Sequence, residues 1–349
     1  MSELRITGLI MSFFVIIISL YFYKRRKFRG IDLVVGLSSG VAILIVSISP
    51  VILNYFTRQL SLTYSDSGRL LTLIVFSIAG LFLLWIGLNV RITKQEQISS
   101  KIIEDIALES YLKDHLEQTV NSIIIVIPAH NEQDNIAKVL NLMPDSINNV
   151  PVKVLVVDDG STDETMLVAQ KHGADVIRGI VNQGQGGALR LGYAVIKRFY
   201  RNNEVIVTMD ADGQHDPGQI ETIVAPILDG RADFVNGSRH LGHTKDVGVV
   251  RNAGVFLFSR LMGMLLFRKI TDCSNGFRAF SMKLLDSLNL RETQYQSIEP
   301  IMQTIRKKFR YMEVPITVSA RQSGDSKKPH NILYGYNYLI VIIKTWLRH

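Results

Sequence analysis

The sequence predicts an α/β domain built on a mostly parallel, Rossmann-like sheet, preceded by a three-helix transmembrane segment. Three observations point there. From Ser122 onward, short apolar runs alternate with amphipathic stretches, and strands alternating with helices give a largely parallel sheet covered on both faces. The first quarter of the 349-residue chain concentrates its apolar residues in three long runs. Finally, an apolar strand through Val207 runs straight into two aspartates one residue apart, Asp210 and Asp212, followed by Gly213, Gln214 and His215.

The N-terminal runs cover residues 6–23, 31–53 and 70–90, each long enough for a hydrocarbon core that needs roughly 20 helical residues. The first ends in Tyr21, Phe22 and Tyr23 and then a basic cluster at 24–29, not in a small-residue cleavage site, so it reads as a retained anchor, with a signal anchor as the alternative. Short loops rich in Lys and Arg stay cytoplasmic. That rule puts 24–29 inside, 54–69 outside, the N-terminus outside and everything after Val90 in the cytoplasm, the topology of a multi-pass cell-membrane protein. A single cysteine, Cys273, suits a reducing compartment and excludes an intrachain disulfide. In that compartment the sequon at Asn236 and Ser238 is accidental. The expected divisions are a membrane domain at 1–91, a juxtamembrane linker helix at 92–120, a soluble domain at 121–330 and a C-terminal amphipathic helix at 331–349.

The linker carries Ile98, Ile102, Ile106, Leu108 and Leu112 near helical spacing, which suits the membrane surface, a neighbouring element or a solvated helix. The C-terminal stretch mixes aromatics with Lys328, Lys344 and Arg348. Its apolar core is too short to span, so it reads as an interfacial helix or as one docked on the domain's own core. Partners expected from these features are the lipid bilayer, with self-association through the membrane helices, and no nucleic acid.

In the soluble part, apolar runs at 123–127, 152–157, 205–209 and 234–235 are separated by amphipathic stretches at 135–142, 163–172 and 188–200. Open sheets of this kind bind ligands beyond the carboxyl ends of their strands. Three such ends carry acidic or small polar groups: Pro128 to Glu132, Asp158 to Ser161, and Asp210 to Asp212. Hard divalent cations take carboxylates together with substrate phosphate oxygens, so Asp210 and Asp212 make a nucleotide-diphosphate site the first expectation, a polar turn being the alternative. Asp159 could accept hydrogen bonds from a base or ribose. Asp158 and Ser161 read equally as a helix cap, and Glu132 as a ribose ligand or a complement to the helix dipole. The glycine-rich stretch 182–188 opens a helix whose N–H groups could hold a phosphate. Its glycines at 184, 186, 187 and 192 follow the third strand, which is not the dinucleotide fingerprint.

Seven motifs then occur in order: Pro128-Ala129-His130-Asn131-Glu132; Val157 through Asp163; Asn182 through Gly192; Asp210 through His215; Asn236 through Arg239; Asp272 through Arg278; and Arg321, Gly324, Ser326 and Lys327. Over about 120–330 this pattern resembles the family 2 inverting glycosyltransferases of GT-A fold, in particular the dolichyl-phosphate mannose synthase and polyprenyl-phosphate glycosyltransferase branch. The N-terminal segment resembles a small membrane domain of unknown function, DUF2304, found fused to such enzymes.

The resemblance implies roles. Pro128, His130, Glu132 and Asp159 would hold the nucleoside, with Gln185 and Asp210 completing the nucleotide-sugar site. Asp210, Asp212 and Gln214 would hold the Mg2+ or Mn2+ that bridges the diphosphate. Arg239, Arg251, Arg321 and Lys327 would hold phosphates of the donor or of a polyprenyl or dolichyl phosphate acceptor. Asp272, Asp212 and Arg278 would be the catalytic set, with Asp272 near the reaction centre. The chain departs from the pattern at Gln185, where a lysine is common, at Glu164, and at Cys273 to Asn275. A lipid phosphate is largely ionised near neutrality, its second pKa being about 6, and needs positioning more than deprotonation. A sugar hydroxyl on a lipid-linked saccharide would instead need a base such as Asp272. The absence of a Gln-x-x-Arg-Trp motif argues against a processive synthase, intact Asp210, Asp212, Asp272 and Arg278 against an inactive scaffold, and the ordered motifs against a nucleotidyltransferase.

Overall fold

The computed structural model describes residues 3–24, 30–49, 55, 66–114, 121–244, 249–292, 294–319 and 331–348. They divide into two compact units, Met1–Lys94 and Gln95–His349. In the first unit, helices α1 (Glu3–Lys24) and α2 (Gly30–Ile48) pack together. Their contact is made of small residues: a Cβ on Gly36 would lie 2.2 Å from the Ser19 hydroxyl, and one on Gly40 would lie 2.5 Å from Ile16. Ser12 and Ser19 are buried and bond back to the carbonyls of Leu9 and Val15 at 2.8 and 2.7 Å. The large apolar side chains of α1, among them Ile10, Phe13, Phe14 and Ile17, face outward and are 56–64% exposed. Among the described residues no helix is long and apolar enough to cross a membrane, so the three-span expectation is not confirmed. The second run continues into 50–53, outside the described residues.

Helix α3 (Asp66–Asp114) runs on into the second unit. There it packs through Ala107 and Tyr111, which are 3% and 5% exposed, while Ile98, Ile102, Ile106 and Leu112 stay 45–53% exposed. The apolar spacing of the linker thus marked the outward stripe at four positions, and Leu108 packs against the core. The inward stripe consists of Ser100, Ala107, Leu108 and Tyr111, too mixed in polarity for a hydrophobic period to reveal. Burial pushes the Tyr111 phenol up to about 12, and its hydroxyl lies 3.3 Å from that of Tyr200.

Strand β1 (Ile123–Ala129) is central. Its apolar residues from Ile123 to Ile127 are at most 1% exposed, as expected of a strand covered on both faces, and each contributes about 2 kcal/mol of burial. Alternation divides them: Ile124 and Val126 enter one core, and Ile123, Ile125 and Ile127 the other. After helix α4 (Gln133–Asn141), strand β2 (Ser146–Ile147) turns back antiparallel onto β3 (Val150–Asp158), which pairs parallel with β1. Helix α5 (Thr165–Lys171) leads to β4 (Asp175–Arg178), parallel on β3, and helix α6 (Gln185–Phe199) to β5 (Val205–Thr208), parallel on β1.

Beyond β5 the expectation of a mostly parallel sheet needs correction. After helix α7 (Ile220–Leu228) come β6 (Phe234–Thr244), helix α8 (Val249–Leu266), β7 (Arg278–Ser281), helices α9 (Met282–Ser287) and α10 (Ile298–Arg306), and β8 (Tyr311–Val318). Strand β7 inserts antiparallel between β5 and β6, and β8 lies parallel to β6. The eight-stranded sheet is mixed, in the order β2-β3-β1-β5-β7-β6-β8, with β4 on β3. Four residues beginning with an arginine carry neither a run nor an alternation from which a strand could be read, and strand direction leaves no local signal.

The C-terminal helix α11 (Asn331–Arg348) docks on the core through Tyr338, Val341, Ile342 and Thr345. Its opposite face leaves Tyr336, Ile340, Ile343 and Leu347 42–71% exposed. Core docking and an outward apolar stripe therefore coexist on one helix.

Candidate active site

The parallel pairings bring the carboxyl ends of β3, β1 and β5 side by side, and the three polar strand ends meet there. The turn after β5 is braced from beneath. The N–H of Asp210 donates to Nδ1 of His215 at 3.2 Å, so that ring is protonated at Nε2, which donates to Oδ1 of Asn275 at 3.2 Å. The Asn275 amide passes the chain on to the carbonyls of Gly237 and Phe277, while the imidazole stacks on Phe277 with centroids 5.1 Å apart. His215, only 4% exposed, orients the acidic turn and has no lone pair left for a ligand. Gly213 takes the positive φ of 73° that reverses the chain. A Cβ on Gly276 would lie 2.8 Å from the Asp210 carboxylate, so only glycine leaves that carboxylate its place.

At the nucleoside end, Nδ1 of His130 donates to the carbonyl of Asp159 at 2.9 Å. Asp159 is 6% exposed, and its Oδ1 accepts the N–H of Gln183 at 2.8 Å. Burial raises its pKa, partly offset by that hydrogen bond. Asp158 is the structural member of the pair: Oδ1 caps the N–H of Ser161 at 2.9 Å, and Arg178 approaches Oδ2 to 3.4 Å. Gly160, at φ 66°, lets residues 181 and 182 pass where a Cβ would lie 2.9 Å from their backbone. Glu132 is turned to its own helix and accepts from the Asn135 amide at 2.7 Å. Pro128 is the penultimate residue of β1 and is half-buried.

The third cluster surrounds Asp272, which is completely buried. Arg239 on β6 grips it twice, Nε to Oδ2 at 2.7 Å and Nη2 to Oδ1 at 2.9 Å, and the N–H groups of Arg239 and Ser274 add bonds at 3.2 and 3.1 Å. Burial alone would raise this carboxyl, but the guanidinium holds it below the usual carboxylate range. Reciprocally, burial alone would lower Arg239, and the Asp272 carboxylate raises it. Glu313 on β8 supports the same loop by accepting from the N–H groups of Thr271 and Asp272, and the Tyr338 hydroxyl donates to the Cys273 carbonyl at 2.9 Å.

The glycine-rich segment bridges the first two clusters, since the backbone of Gln183 binds Asp159 and the amide of Gln185 donates to Oδ1 of Asp210 at 2.6 Å. The structure thus brings together Pro128, His130, Asp159, Gln185, Asp210, Asp212 and Gln214, with Arg239 and Asp272 joined as a buried ion pair. Arg278 is buried on β7, where Nη1 and Nη2 donate to the carbonyls of Ser297 and Asn275. It braces the loop below Asp210. Arg251 lies on α8, and Arg321 and Lys327 lie outside the described residues. Sequence reasoning missed the supports His215, Asn275, Gln183 and Glu313. His215 stood in a quoted motif without a role, and Glu313 offered no local signal.

A divalent cation fits the acidic turn. Asp210, Asp212 and the Gln214 amide are hard oxygen donors, and Gly276 keeps open the space beside Asp210 that a Cβ would fill. Among the described residues no group of three or more His, Cys, Asp or Glu could enclose a metal. Asp210 and Asp212 would therefore supply part of a shell that diphosphate oxygens complete.

Residues 124–288 match the model of the glycosyl transferase family 2. An uncharacterized protein of Methanocaldococcus jannaschii is 32% identical over 229 residues, 64% of this chain and 91% of the relative. The chain belongs to glycosyl transferase family 2. The UDP-N-acetylglucosamine–dolichyl-phosphate N-acetylglucosaminyltransferase of Methanococcus voltae is 29% identical over 253 residues, 64% of this chain and 96% of the relative. Among solved structures, glucosyl-3-phosphoglycerate synthase of Mycobacterium tuberculosis, in complex with Mn2+, UDP-glucose and phosphoglyceric acid, superposes with a TM-score of 0.52 at 21% identity, covering 65% of this chain and 80% of that one. The α/β fold is GT-A-like, and the matched region holds His130, Asp159, Gln185, Asp210, Asp212, Arg239 and Asp272.

Proposed function

We propose that this family 2 transferase moves a hexose from a UDP- or GDP-sugar to a polyprenyl or dolichyl phosphate with inversion, at the cytoplasmic face of the cell membrane. The observation that carries the choice of acceptor is the state of Asp272. A general base works best with a pKa near the operating pH, whereas Asp272 is buried, doubly bonded to Arg239 and shifted downward. An acceptor hydroxyl would find a poor base there, and an ionised lipid phosphate needs none. The acceptor named for the Methanococcus voltae relative supports the same reading.

In this reading Asp159 and His130 orient the nucleoside, and the segment 182–187 closes over the diphosphate. Asp210, Asp212 and Gln214 hold Mg2+ or Mn2+, which when bound offsets charge growing on the departing diphosphate. Arg239 and Arg251, with Arg321 and Lys327 beyond the described residues, set the lipid phosphate against the face of the sugar opposite the leaving group. Purified full-length protein incubated with radiolabelled UDP- and GDP-sugars and polyprenyl phosphate should transfer label into a lipid extract, and EDTA should abolish the transfer. Label appearing only on lipid-linked saccharides would replace the acceptor, and full activity in EDTA would remove the metal.

The membrane reading rests on the apolar runs of the sequence and on the arrangement of α1 and α2, where small residues and serines face inward and large apolar residues outward. That pattern suits lipid, where small residues line helix contacts. In the second unit Phe256, Leu257, Met264 and Phe267 of α8 and its following turn are 53–97% exposed, beside the outward stripe of α11. Burial pushes the thiol of Cys273, the sole cysteine, up to about 11, so the native chain should be silent to thiol reagents. An impermeant maleimide on intact cells is expected to label a cysteine introduced at Ser65 and to spare one at Ser323. The reverse pattern would invert the topology.

A further inference from the structure

The helix that enters the transferase domain reaches its site through one hydroxyl. Ser100 on α3 donates to Oε1 of Gln183 at 2.5 Å and accepts from Nη2 of Arg190 at 2.7 Å. Gln183 is the residue whose N–H binds Asp159, and two residues later Gln185 binds Asp210. The Gln183 side chain is packed over the start of α6, where a Cβ on Gly187 would lie 2.4 Å from its own Cβ. Arg190 is fixed in turn by the carbonyls of Arg291 and Glu292, each at 3.2 Å.

Segment 182–187 belongs to no strand, and α6 begins only at Gln185. Besides its local bond from Gly184 N–H to Asn182, it is held by Asp159, Asp210 and Ser100. The first two are groups that a bound nucleotide-sugar would engage. Ser100 is the one of the three that comes from outside the strand ends, on the helix that enters the domain. We infer that Ser100 is a positioning residue for the nucleotide-diphosphate site, holding Gln183 so that the segment presents its groups to Asp159 and Asp210. The inference rests on the reading that those two carboxylates face the donor. It makes the helix over 95–114 a structural part of the transferase, where the sequence suggested a linker.

The test is the affinity of full-length protein in detergent for UDP and GDP with Mn2+, measured by titration calorimetry on the parent, Ser100→Ala, Gln183→Ala and the double variant. Ser100→Ala should weaken binding of the preferred nucleotide about three- to tenfold, the range of one net hydrogen bond. Gln183→Ala should do the same, and the double variant should lose little more than either single one, because both remove one bond. Ile102→Ala, on the exposed stripe of the same helix, should bind as the parent does. Unchanged affinity in Ser100→Ala, or single losses that simply add, would overturn the inference and leave the proposed function standing. A parent that binds neither nucleotide would remove the proposed function and the inference with it.

Discussion

Asp210→Asn and Asp212→Asn are each expected to lower transfer by about 10³-fold or more while the protein stays folded. Cation stabilisation of a leaving group is worth several kcal/mol, each 1.36 kcal/mol being tenfold in rate, and each substitution removes one of only two carboxylates at the turn. The fold should tolerate the change because the brace beneath runs through backbone and through His215, with the Asp210 N–H donating to the ring irrespective of the side chain. Asp210→Asn also weakens the contact with the Gln185 amide, so it should cost at least as much as Asp212→Asn. The measurement is the initial transfer rate against Mn2+ concentration, beside a thermal melt. Parent-like rates in both variants, with melts unchanged, would show that the turn holds no catalytic cation.

Asp272→Asn is expected to act first on stability. The substitution leaves the Arg239 guanidinium, whose side chain is 11% exposed, without its counter-charge, and breaking a buried pair from one side costs about 3–5 kcal/mol. For a unit of this size that corresponds to a melting temperature lower by about 6–20 °C. Replacing both members, Asp272→Asn with Arg239→Met, should recover part of the loss because no buried charge then remains. The pH dependence follows from the direction of the shift. The Asp272 carboxyl titrates lower in the folded than in the unfolded chain, so its contribution is fully present above the unfolded value near 3.9 and is lost as pH falls through the folded value. Acid unfolding of the parent should therefore be steeper below pH 4 than that of Asp272→Asn. Below the melting point of the variant, transfer to a lipid phosphate should fall by less than the 10²–10⁴-fold that a general base contributes. An intact fold with no transfer anywhere between pH 6 and 9 would favour a hydroxyl acceptor.

Much of the scaffold was legible locally. The run at 123–127 became a strand because burial on two faces demands continuous apolar side chains, and those at 152–157 and 205–209 did so with burial concentrated in Leu155 to Val157 and Val205 to Val207. The helices expected at 135–142, 163–172 and 188–200 appear within a few residues of those bounds, since an amphipathic period survives whatever it packs against. Asp159 and Asp210 stand just beyond the carboxyl ends of β3 and β5, where the apolar runs had put them.

Other features depended on partners distant in sequence. Strand β7 is four residues long and owes its existence to β5 and β6 on either side. Asp272 looked like a base by its place in a motif, and what sets its chemistry is Arg239, 33 residues earlier. The tautomer of His215, set in part by Asn275, and the grip of Ser100 on Gln183 likewise come from partners that only folding brings within 3.5 Å. By itself the sequence determined where the apolar period changes, which strand ends carry carboxylates and which family the motifs resemble, because those are properties of neighbouring residues. The tertiary structure alone decided the strand directions, which carboxylates accept from neutral amides and which are held in ion pairs, because a side chain's charge state and reach are set by the groups that surround it.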